Sequence, residues 1–458
     1  MKPYLFDNRP LRLTTLCVLY SAQGIPDGFV RTALKTYLIS QGASVAAIGT
    51  IVAMVSLPWS MKWVWGPFID RFGYAPMGRR RPWILLAQSL MTLSLIGMLL
   101  IPDVAANLRL LAAMVLLVNI WASLQDVSVD ALAIDMLPRD ERGAANGFMY
   151  ASSFAGNFIG GKMLGSLLLA FGLLAAIGAQ VLLLIVIMLF PLLLRERRGD
   201  VLLPRPGQMK TWVPSAHAAR PRSLGHVFRM LFRAFSLRST SMAAALALLS
   251  LVAVNAHLIY WPTHVQRRLG WTSESWLNLE GGWGAVCGLI GCVVGGLIAT
   301  AIGARRAVIL ALAGMGGCWL AYAALQDHWS NRAVVSGLFM AEAALAGGLQ
   351  VTMFALFMGI CWPAVAATQF TAYMAMLNVS NGLGAKLAGT IEHTFGIVNS
   401  HVALGCLQLA LIGVALAIDP DETRRKLGSG LPSDDVKSPR APELDAGLPF
   451  PPEPPPHY

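Results

Sequence analysis

Charged residues are scarce in this sequence. Of its 458 residues only 13% are Asp, Glu, Lys or Arg, whereas 56% are hydrophobic. This balance excludes an ordinary soluble globular protein, in which about 25% of residues are charged. The catalytic patterns H-E-x-x-H and G-x-S-x-G are missing, as is the phosphate-binding loop G-x-x-x-x-G-K-[ST]. The sequence therefore predicts neither an enzyme nor a transporter that hydrolyses ATP itself.

Cysteine is also infrequent, and its pattern indicates no chemistry. The six cysteines form no C-x-x-C pair and mostly fall within apolar stretches. We interpret them as small buried hydrophobic residues rather than metal ligands or disulfides, and we expect no metal and no cofactor. No cleavable signal peptide is evident, because the first apolar stretch is long enough to remain as a membrane span.

Long apolar runs are what the sequence has in abundance. A helix needs roughly 20 mostly apolar residues to cross a bilayer, and such runs recur along the chain. Six are predicted near 13–38, 44–66, 83–101, 108–137, 145–169 and 172–194. Six more are predicted near 240–262, 278–301, 307–325, 333–360, 366–391 and 397–418. The predicted fold class is therefore an all-α membrane protein with twelve transmembrane helices.

One motif occurs twice. Residues 157–165 read N-F-I-G-G-K-M-L-G and residues 381–389 read N-G-L-G-A-K-L-A-G, so both fit N-x-x-G-x-K-x-x-G at an offset of 224 positions. Gly66 and Gly73 also recur as Gly296 and Gly303. A repeated membrane half predicts two pseudo-symmetric six-helix bundles, which is the layout of secondary transporters that bind substrate where the halves meet.

Polar segments divide the chain into four parts. We predict a first bundle at 1–194, a basic cytoplasmic linker at 195–239, a second bundle at 240–419 and a disordered proline-rich tail at 420–458. In the linker, apolar residues alternate with arginines from Leu224 to Arg238, which predicts an amphipathic helix lying on the membrane.

The basic residues indicate the orientation. Twenty-six lie in the termini, the linker and the loops on their side, and four lie in the loops on the other side. By the positive-inside rule both termini are predicted to be cytoplasmic. The net charge of +11 is therefore a topology signal, and no nucleic-acid partner is expected.

Charges inside the first span are costly in a bilayer and point to a site. Asp27, Arg31 and Lys35 are spaced by four, so an α-helix places them on one face, which we expect to line the cavity. The alternative is that Arg31 and Lys35 extend to the membrane surface.

The fourth span carries Gln125, Asp126 and Asp130. Two carboxylates one turn apart in a low dielectric tend not to ionise together, so one of them readily holds a proton. Asp126 and Asp130, with Asp27, are thus the candidate proton-coupling residues, and Gln125 is a candidate substrate contact. The alternative is that the carboxylates form ion pairs with Lys62, Arg31 or Lys162.

Lys162 and Lys386 occupy equivalent positions of the two motif copies and suit an anionic substrate group. They could instead pair with acidic residues, Asp126 or Asp130 for Lys162 and Glu342 for Lys386. Lys62 lies between Trp59 and Trp63, which either stack on a ligand or anchor the helix at the interface. The candidate substrate-binding residues are Gln125, Arg31, Lys62, Lys162, Lys386, Trp59, Trp63 and Glu342.

Two further ionisable residues lie in the predicted spans of the second half. Glu280, near the start of the eighth span, is interpreted as an interfacial charge. His257, in the seventh span, either carries a proton or is a satisfied core histidine.

The segment from Gly66 to Gly73, G-P-F-I-D-R-F-G, followed by G-R-R-R at 78–81, resembles the cytoplasmic signature between the second and third helices of the major facilitator superfamily. The resemblance implies a latch that holds the two halves in one state. Its candidate residues are Gly66, Asp70, Arg71, Gly73, Arg79 and Arg80. In the second copy Thr300 stands at the place of the aspartate, which predicts a weaker latch there.

A narrower resemblance is to AmpG-type permeases. Their Q-D-x-x-x-D core is matched at residues 125–130, their K-x-x-W-x-P-x-x-D-R helix at 62–71 and their A-T-Q opening at 367–369. This family imports cell-wall muropeptides across the inner membrane of Gram-negative bacteria. Two extra spans of that family and the fourth-helix arginine of drug exporters are not apparent in this sequence.

The resemblance and the buried charges together predict a secondary transporter of the bacterial inner membrane. It would import a polar, anionic solute such as a muropeptide by proton symport, as a monomer in the lipid bilayer. The alternatives are a siderophore permease, a drug or metabolite exporter, and a membrane receptor that binds a small molecule without moving it.

Overall fold

The computed structural model describes residues 4–71, 75–104, 106–137, 142–197, 199–203, 224–362 and 365–428. In these ranges twelve long helices, α1 to α12, follow one another. The first six are α1 (Arg9–Gly28, Phe29–Leu34 and Lys35–Ser40), α2 (Val45–Ser60, Lys62–Val64 and Trp65–Arg71), α3 (Arg81–Met98), α4 (Leu108–Met136), α5 (Arg142–Phe158, Ile159–Met163 and 164–171) and α6 (173–193).

The second six helices repeat this order. They are α7 (Arg238–Arg268), α8 (Ser273–Leu277, Asn278–Gly284 and Ala285–Ile302), α9 (Ala304–Ala324), α10 (Arg332–Ile360), α11 (366–395) and α12 (397–416). The predicted all-α class with twelve helices is confirmed. Odd-numbered helices run from the side where α1 begins, here called the termini side, to the opposite side, here called the far side.

Two of the connections are single glycines. Gly172 joins α5 to α6 with φ of +82°, and Gly396 joins α11 to α12 with φ of +70°. Only glycine adopts this left-handed backbone at little cost. The two residues are 224 positions apart, which is the offset of the repeated motif, so the repeat extends to the far-side corners.

Membrane placement follows from length and composition. Eight continuous helical stretches are long and apolar enough to cross a bilayer. Two of them, those kinked at Gly172 and Gly396, each contain two helices, so the eight stretches supply ten of the twelve. The other two are α1 and α3. The hydropathy of α1 is low because this helix carries Asp27, Arg31 and Lys35.

Each half is held together by close helix contacts at small residues. α1 packs against α5 in the first half, and α7 packs against α11 in the second. A Cβ atom on Gly160 of α5 would lie 2.0 Å from the Ile25 carbonyl oxygen of α1, and one on Gly384 of α11 would lie 2.3 Å from the Val252 carbonyl oxygen of α7. Such approaches are how membrane helices gain packing energy, since burial from lipid supplies little.

The second glycine of the repeated motif makes the contact between the halves. Gly165 of α5 meets Leu277 of α8, where an added Cβ would lie 2.9 Å from a leucine methyl carbon. Gly389 of α11 meets Ala46 of α2, where an added Cβ would lie 2.8 Å from the backbone nitrogen. We call these two contacts the seam. The motif thus contains one glycine for packing within a half and one for packing across the seam.

The segments outside the bundles are only partly described. A helix covers Leu224–Phe235, the part of the linker where the amphipathic helix is predicted, and a short helix covers Glu422–Leu427. The tail from residue 429 onward lies outside the described residues. The four domain boundaries stay predictions.

The packing of Gly160 generates a test. Gly160→Ala places a methyl group against the Ile25 backbone, so α1 and α5 must separate. We expect a loss of about 1–3 kcal/mol of stability, typical of overpacking. The measurement is the thermal unfolding midpoint of the purified full-length protein in detergent.

The matched control is Gly178→Ala in α6, where an added Cβ meets no atom within 4 Å. This control should keep or raise the midpoint, because alanine favours helix by about 1 kcal/mol over glycine. Equal midpoints for the two variants would contradict the close contact.

Candidate functional site

A cavity lies between the two halves and has two connected lobes. One lobe has a volume of about 620 Å³ and the other about 770 Å³. Both lobes are bordered by residues of α1, α5, α8, α10 and α11. The residues common to them are Asp27, Arg31, Phe154, Asn157, Cys292, Gln350 and Asn381.

The lining is apolar with a few polar groups, as is usual for small-molecule sites. Arg31 donates from Nε to Asp27 Oδ1 at 2.7 Å and from Nη2 to Ser56 Oγ at 3.1 Å. Asn255 of α7 donates to Asn381 Oδ1 at 2.7 Å. The site therefore presents one guanidinium, from Arg31, two carboxylates, from Asp27 and Glu280, and several amide groups to a ligand.

The larger lobe extends toward the termini side. It is bordered by Trp59 in the Val45–Ser60 segment of α2, by Met358 two residues before the end of α10, and by Phe370 near the start of α11. Met358 and Phe370 lie at the termini-side ends of their helices, so the cavity approaches that face of the molecule.

The far side is closed by polar contacts between the halves. Lys35 of α1 donates from Nζ to the Leu258 carbonyl oxygen of α7 at 2.9 Å and forms an ion pair with Glu280 of α8. Arg267 of α7 donates to the Ile39 carbonyl oxygen at 3.2 Å. We call these contacts, together with the seam, the far-side seal. A cavity with one sealed side is the arrangement expected of one state in alternating access.

Glu280 and Lys35 differ from their sequence-based interpretations. Glu280 is not an interfacial charge, because it pairs with Lys35 and accepts a hydrogen bond from Trp276 Nε1 at 2.7 Å. Lys35 is 1% exposed and neither reaches the membrane surface nor shares the cavity face of Asp27 and Arg31.

The physical reason is a π-helical turn at Phe29–Leu34. A π turn holds an extra residue compared with an α turn, so the residues after it are rotated relative to the four-residue spacing. Further π turns occur at Ile159–Met163 in α5 and Asn278–Gly284 in α8, and the three turns contact one another where the halves meet.

Asp126 and Asp130 lie together on α4 and border neither lobe. Lys62 Nζ lies 2.8 Å from Asp126 Oδ2, and the Tyr20 hydroxyl of α1 donates to Asp130 Oδ1. Lys62 also lies 5.7 Å from the ring centre of Trp59, whose Nε1 donates to Asn119 Oδ1 at 3.2 Å. The cluster therefore links α1, α2 and α4.

The remaining candidates make contacts of other kinds. Gln125 donates to the Leu19 carbonyl oxygen at 3.4 Å, and Trp63 is 58% exposed. Glu342 of α10 is buried among aromatic side chains and accepts from Tyr322 at 3.1 Å and from Trp319 at 3.3 Å. It borders neither lobe described above.

The two motif lysines also lie off the cavity lining. Lys162 donates to Ser166 Oγ at 3.0 Å, and Lys386 of α11 donates across the seam to Thr50 Oγ1 of α2 at 2.8 Å. These hydroxyl contacts are not the acidic pairings that the sequence left open. In this conformation the motif presents its asparagines, Asn157 and Asn381, to the cavity instead.

Sequence reasoning missed those asparagines. The sequence does mark them, since they are the first residues of both copies of the repeat, but the charged lysines five residues later were the predicted contacts. Asn255 and Gln350 carried no comparable signal, because isolated amides in apolar spans have many structural roles.

The turn between α2 and α3 is fixed by one carboxylate. Glu196, which follows α6 and is 3% exposed, accepts from the backbone N–H groups of Arg79, Arg80 and Arg81 at 3.0, 2.8 and 2.6 Å. Burial raises the pKa of Glu196, and the three N–H donors oppose this rise. Gly78 has φ of +100°, and an added Cβ would lie 2.5 Å from the Glu196 carboxyl carbon.

The predicted latch residues lie around this turn. Arg80 Nε lies 2.9 Å from Asp135 Oδ2 at the end of α4, and Gly66 lies within α2. The side chains of Asp70 and Arg71, and Gly73 altogether, lie outside the described residues. Their latch role stays a prediction.

The structure combines twelve apolar helices in a repeated order with a cavity between the halves and a seal on one side. This arrangement defines a multi-pass secondary transporter. Comparison with known proteins agrees. A family model described as Major Facilitator Superfamily matches residues 16–385. The chain belongs to the Major Facilitator Superfamily.

Two relatives within the superfamily are similar to this chain in sequence. The anhydromuropeptide permease of Escherichia coli K12 is 25% identical over 413 residues, which cover 89% of this chain and 78% of that protein. A putative transporter, AmpG 4, of Rickettsia conorii is 30% identical over 138 residues, covering 30% of this chain and 33% of that protein. Within the superfamily, the chain is therefore similar to AmpG-type permeases.

Solved structures share the fold. The D-xylose-proton symporter has a TM-score of 0.67 at 14% identity, covering 90% of this chain and 98% of that one. The nucleoside transporter NupG, as a D323A mutant, has a TM-score of 0.64 at 10% identity, covering 89% and 97%. At such identities the likeness concerns the fold alone.

The turn anchored by Glu196 generates a second test. Glu196→Ala removes the acceptor of three backbone N–H groups, so each N–H that water cannot reach costs roughly 1–3 kcal/mol. We expect a lower thermal unfolding midpoint and earlier proteolysis of the α2–α3 turn. Glu274→Ala, at an exposed position in the first turn of α8, is the matched control and should change the midpoint little. A midpoint for Glu196→Ala as high as that of the control would show that the anchor is dispensable.

Proposed function

We propose that this transporter imports a polar, anionic solute of the muropeptide class into the bacterial cytoplasm by proton symport. The observation that carries the proposal is the cavity between the halves, which combines Arg31 with a set of amides. The inner membrane is the expected location, and the positive-inside rule makes the termini side cytoplasmic. The cavity then extends toward the cytoplasm, and the far-side seal faces the periplasm.

The lining suits a glycopeptide in chemical terms. The guanidinium of Arg31, held by Asp27 and Ser56, keeps N–H donors for a substrate carboxylate. Asn157 Oδ1 is buried and has no hydrogen-bond partner within the described residues, so a substrate N–H or O–H would satisfy it. Aromatic side chains from Trp59, Phe154 and Phe370 offer apolar faces beside these polar groups. The E. coli relative, a permease for anhydromuropeptides, supports this class.

Proton coupling is proposed for Asp126 and Asp130. They lie one turn apart on α4 and contact a cation on α2 and a phenol on α1. Two neighbouring carboxylates share a proton more readily than either does alone. A proton gained or lost there changes the contacts among three helices, which is what a coupling site requires. Asp27, paired with Arg31 in the cavity, would connect this charge to the substrate.

The other predicted roles complete the proposal. Asp70 and the basic residues at 79–81 would latch the cytoplasmic ends in the opposite state. Lys162 and Lys386 would meet substrate only in a state in which the seam is open. The transporter is proposed to act as a monomer.

Solute flux tests the function directly. Purified protein in proteoliposomes with an imposed inward proton gradient should accumulate a radiolabelled anhydromuropeptide, and a protonophore should abolish the accumulation. Binding without net flux would identify a receptor. Accumulation of a ferric siderophore but not of the muropeptide, or efflux under the same gradient, would support the alternatives and contradict the proposal.

The coupling site generates a third test. Asp126→Asn and Asp130→Asn each remove a titrating group while keeping its shape, so uphill accumulation should be lost. Counterflow, which needs no gradient, should persist in at least one of the two variants. Asp103→Asn, in the exposed far-side loop, is the control and should accumulate substrate normally. Normal accumulation by both α4 variants would place the coupling elsewhere.

The guanidinium generates a fourth test. Arg31→Gln should raise the half-saturation concentration roughly ten- to hundredfold, because a charged hydrogen bond contributes about 1.5–3 kcal/mol. The control is Arg109→Gln at an exposed far-side position. A neutral analogue that lacks the substrate carboxylate should be transported equally by Arg31→Gln and by the unmodified protein. If the variant loses affinity for both substrates alike, Arg31 maintains the cavity rather than recognising the anion.

A further inference from the structure

A second buried cluster of ionisable groups lies in the other half of the molecule. His257 of α7, Glu342 of α10 and His401 of α12 are 0%, 2% and 0% exposed. His257 Nδ1 lies 2.7 Å from Glu342 Oε1, and His257 Nε2 lies 3.2 Å from His401 Nε2. His401 Nδ1 lies 2.8 Å from the Ile397 carbonyl oxygen. We call these three residues the histidine cluster.

The number of protons in the cluster follows from these contacts. A carbonyl oxygen only accepts, so His401 Nδ1 must carry a proton toward Ile397. The contact between the two Nε2 atoms needs one proton, since two lone pairs would repel. His257 Nδ1 and Glu342 Oε1 lie 2.7 Å apart without the geometry of a hydrogen bond, so they form an ion pair, which is attractive only when His257 carries a proton on both ring nitrogens.

Three contacts therefore need three protons. Two neutral imidazoles and a carboxylate supply only two. The count does not depend on which atoms hold the protons, so the observed arrangement is that of a cluster with one added proton. Tyr322 and Trp319 donate their own hydrogens to Glu342, which favours a carboxylate beside an imidazolium at His257.

The surroundings define what else can titrate near the cluster. The ionisable groups that face it come from α7, α9 and α11, and near the far side Glu392 is in turn close to Arg267 and Arg268. These groups are Tyr260, His264, Cys318, Tyr322 and Glu392. Tyrosine and cysteine stay neutral at physiological pH when buried, and His264 lies against Trp261 and Trp329 rather than against Glu342. The added proton therefore belongs to the His257–Glu342–His401 set.

The cluster is adjacent to the far-side seal. The next residue after His257 is Leu258, whose carbonyl oxygen accepts from Lys35 of the other half. Leu258 also borders the smaller cavity lobe. Arg267, which bonds to the Ile39 carbonyl oxygen across the halves, lies on the same helix. A shift of α7 at residue 257 thus moves two of the three polar contacts of the seal, the one that Leu258 accepts and the one that Arg267 donates.

We infer that the histidine cluster is a proton-binding site whose occupancy holds the far-side seal closed. Loss of the proton leaves two lone pairs facing each other at 2.7 or 3.2 Å. Their repulsion favours displacement of α7 from α10 or α12, which withdraws the Leu258 carbonyl from Lys35. The inference requires alternating access but neither a particular substrate nor coupling at Asp126 and Asp130.

Thiol labelling tests this without any substrate. The full-length protein, with its six native cysteines replaced, carries a single reporter cysteine, Ala43→Cys. Ala43 is 8% exposed, and its carbonyl oxygen accepts from Arg267 beside the Ile39 contact of the seal. Reaction with a membrane-impermeant maleimide is measured between pH 5.5 and 8.5. Rates are divided by those of Ser40→Cys, at the exposed last residue of α1, which removes the intrinsic pH dependence of the thiol.

The normalised rate should rise with pH, since deprotonation loosens the seal. One titrating proton gives at most about a tenfold change per pH unit. His257→Gln should abolish this pH dependence. Glu342→Gln should also abolish it, because it removes the carboxylate that pairs with the protonated imidazole. If one of these variants does not reach the membrane, the other carries the same test.

Two controls separate the site from its neighbours. His264→Gln, on the same helix but outside the cluster, should keep the pH dependence. Asp130→Asn should keep it as well. A pH dependence that survives both His257→Gln and Glu342→Gln would overturn the inference, as would one that disappears in Asp130→Asn alone. A flat profile in the unmodified protein would overturn it too, whatever the transport assay shows.

Discussion

The close backbone approach at a few glycines is the constraint on which this structure depends. In a bilayer, packing and hydrogen bonds rather than the hydrophobic effect hold helices together. Gly160 and Gly384 let α5 and α11 meet α1 and α7, and Gly165 and Gly389 let the same two helices meet the opposite half. α5 and α11 thereby become the shared walls of both halves. The cavity asparagines and the seam contacts follow from how these two helices are fixed.

The symmetric scaffold carries an asymmetric set of charges. In the first half the polar cluster on α4 consists of Asp126, paired with Lys62, and Asp130, which accepts from Tyr20. In the second half a carboxylate, Glu342, lies beside imidazoles. The copies therefore agree where helices pack and differ in their polar clusters. At the close helix contacts, packing excludes any side chain larger than that of glycine. A polar cluster is less restricted, because any set of residues whose hydrogen-bond donors and acceptors satisfy one another can form it.

The sequence allowed the twelve helices, their two groups of six and the close relation of the halves to be predicted, because apolar run length and repeat offset are local signals. It also placed Asp27 and Arg31 correctly beside each other, since their side chains form an ion pair one turn apart on the cavity lining. It failed at Lys35, because a π turn leaves no mark in composition. It failed as well at Glu280, whose partner is 245 positions away along the chain. Contacts of that kind depend on how helices pack, which periodicity does not determine.

The π turns have a consequence for how the cavity could diversify. Between Arg31 and Lys35 the extra residue turns the lysine out of the lining and into the contact with Glu280. Deleting one residue from Phe29–Leu34 would replace the π turn by a regular α-helical turn and direct the ammonium group toward the substrate space. A one-residue deletion, without any substitution, would then add a positive charge to the cavity and also remove the Lys35–Glu280 contact that closes the far side. The extra residue of this π turn therefore affects both substrate selectivity and the closure of the far side.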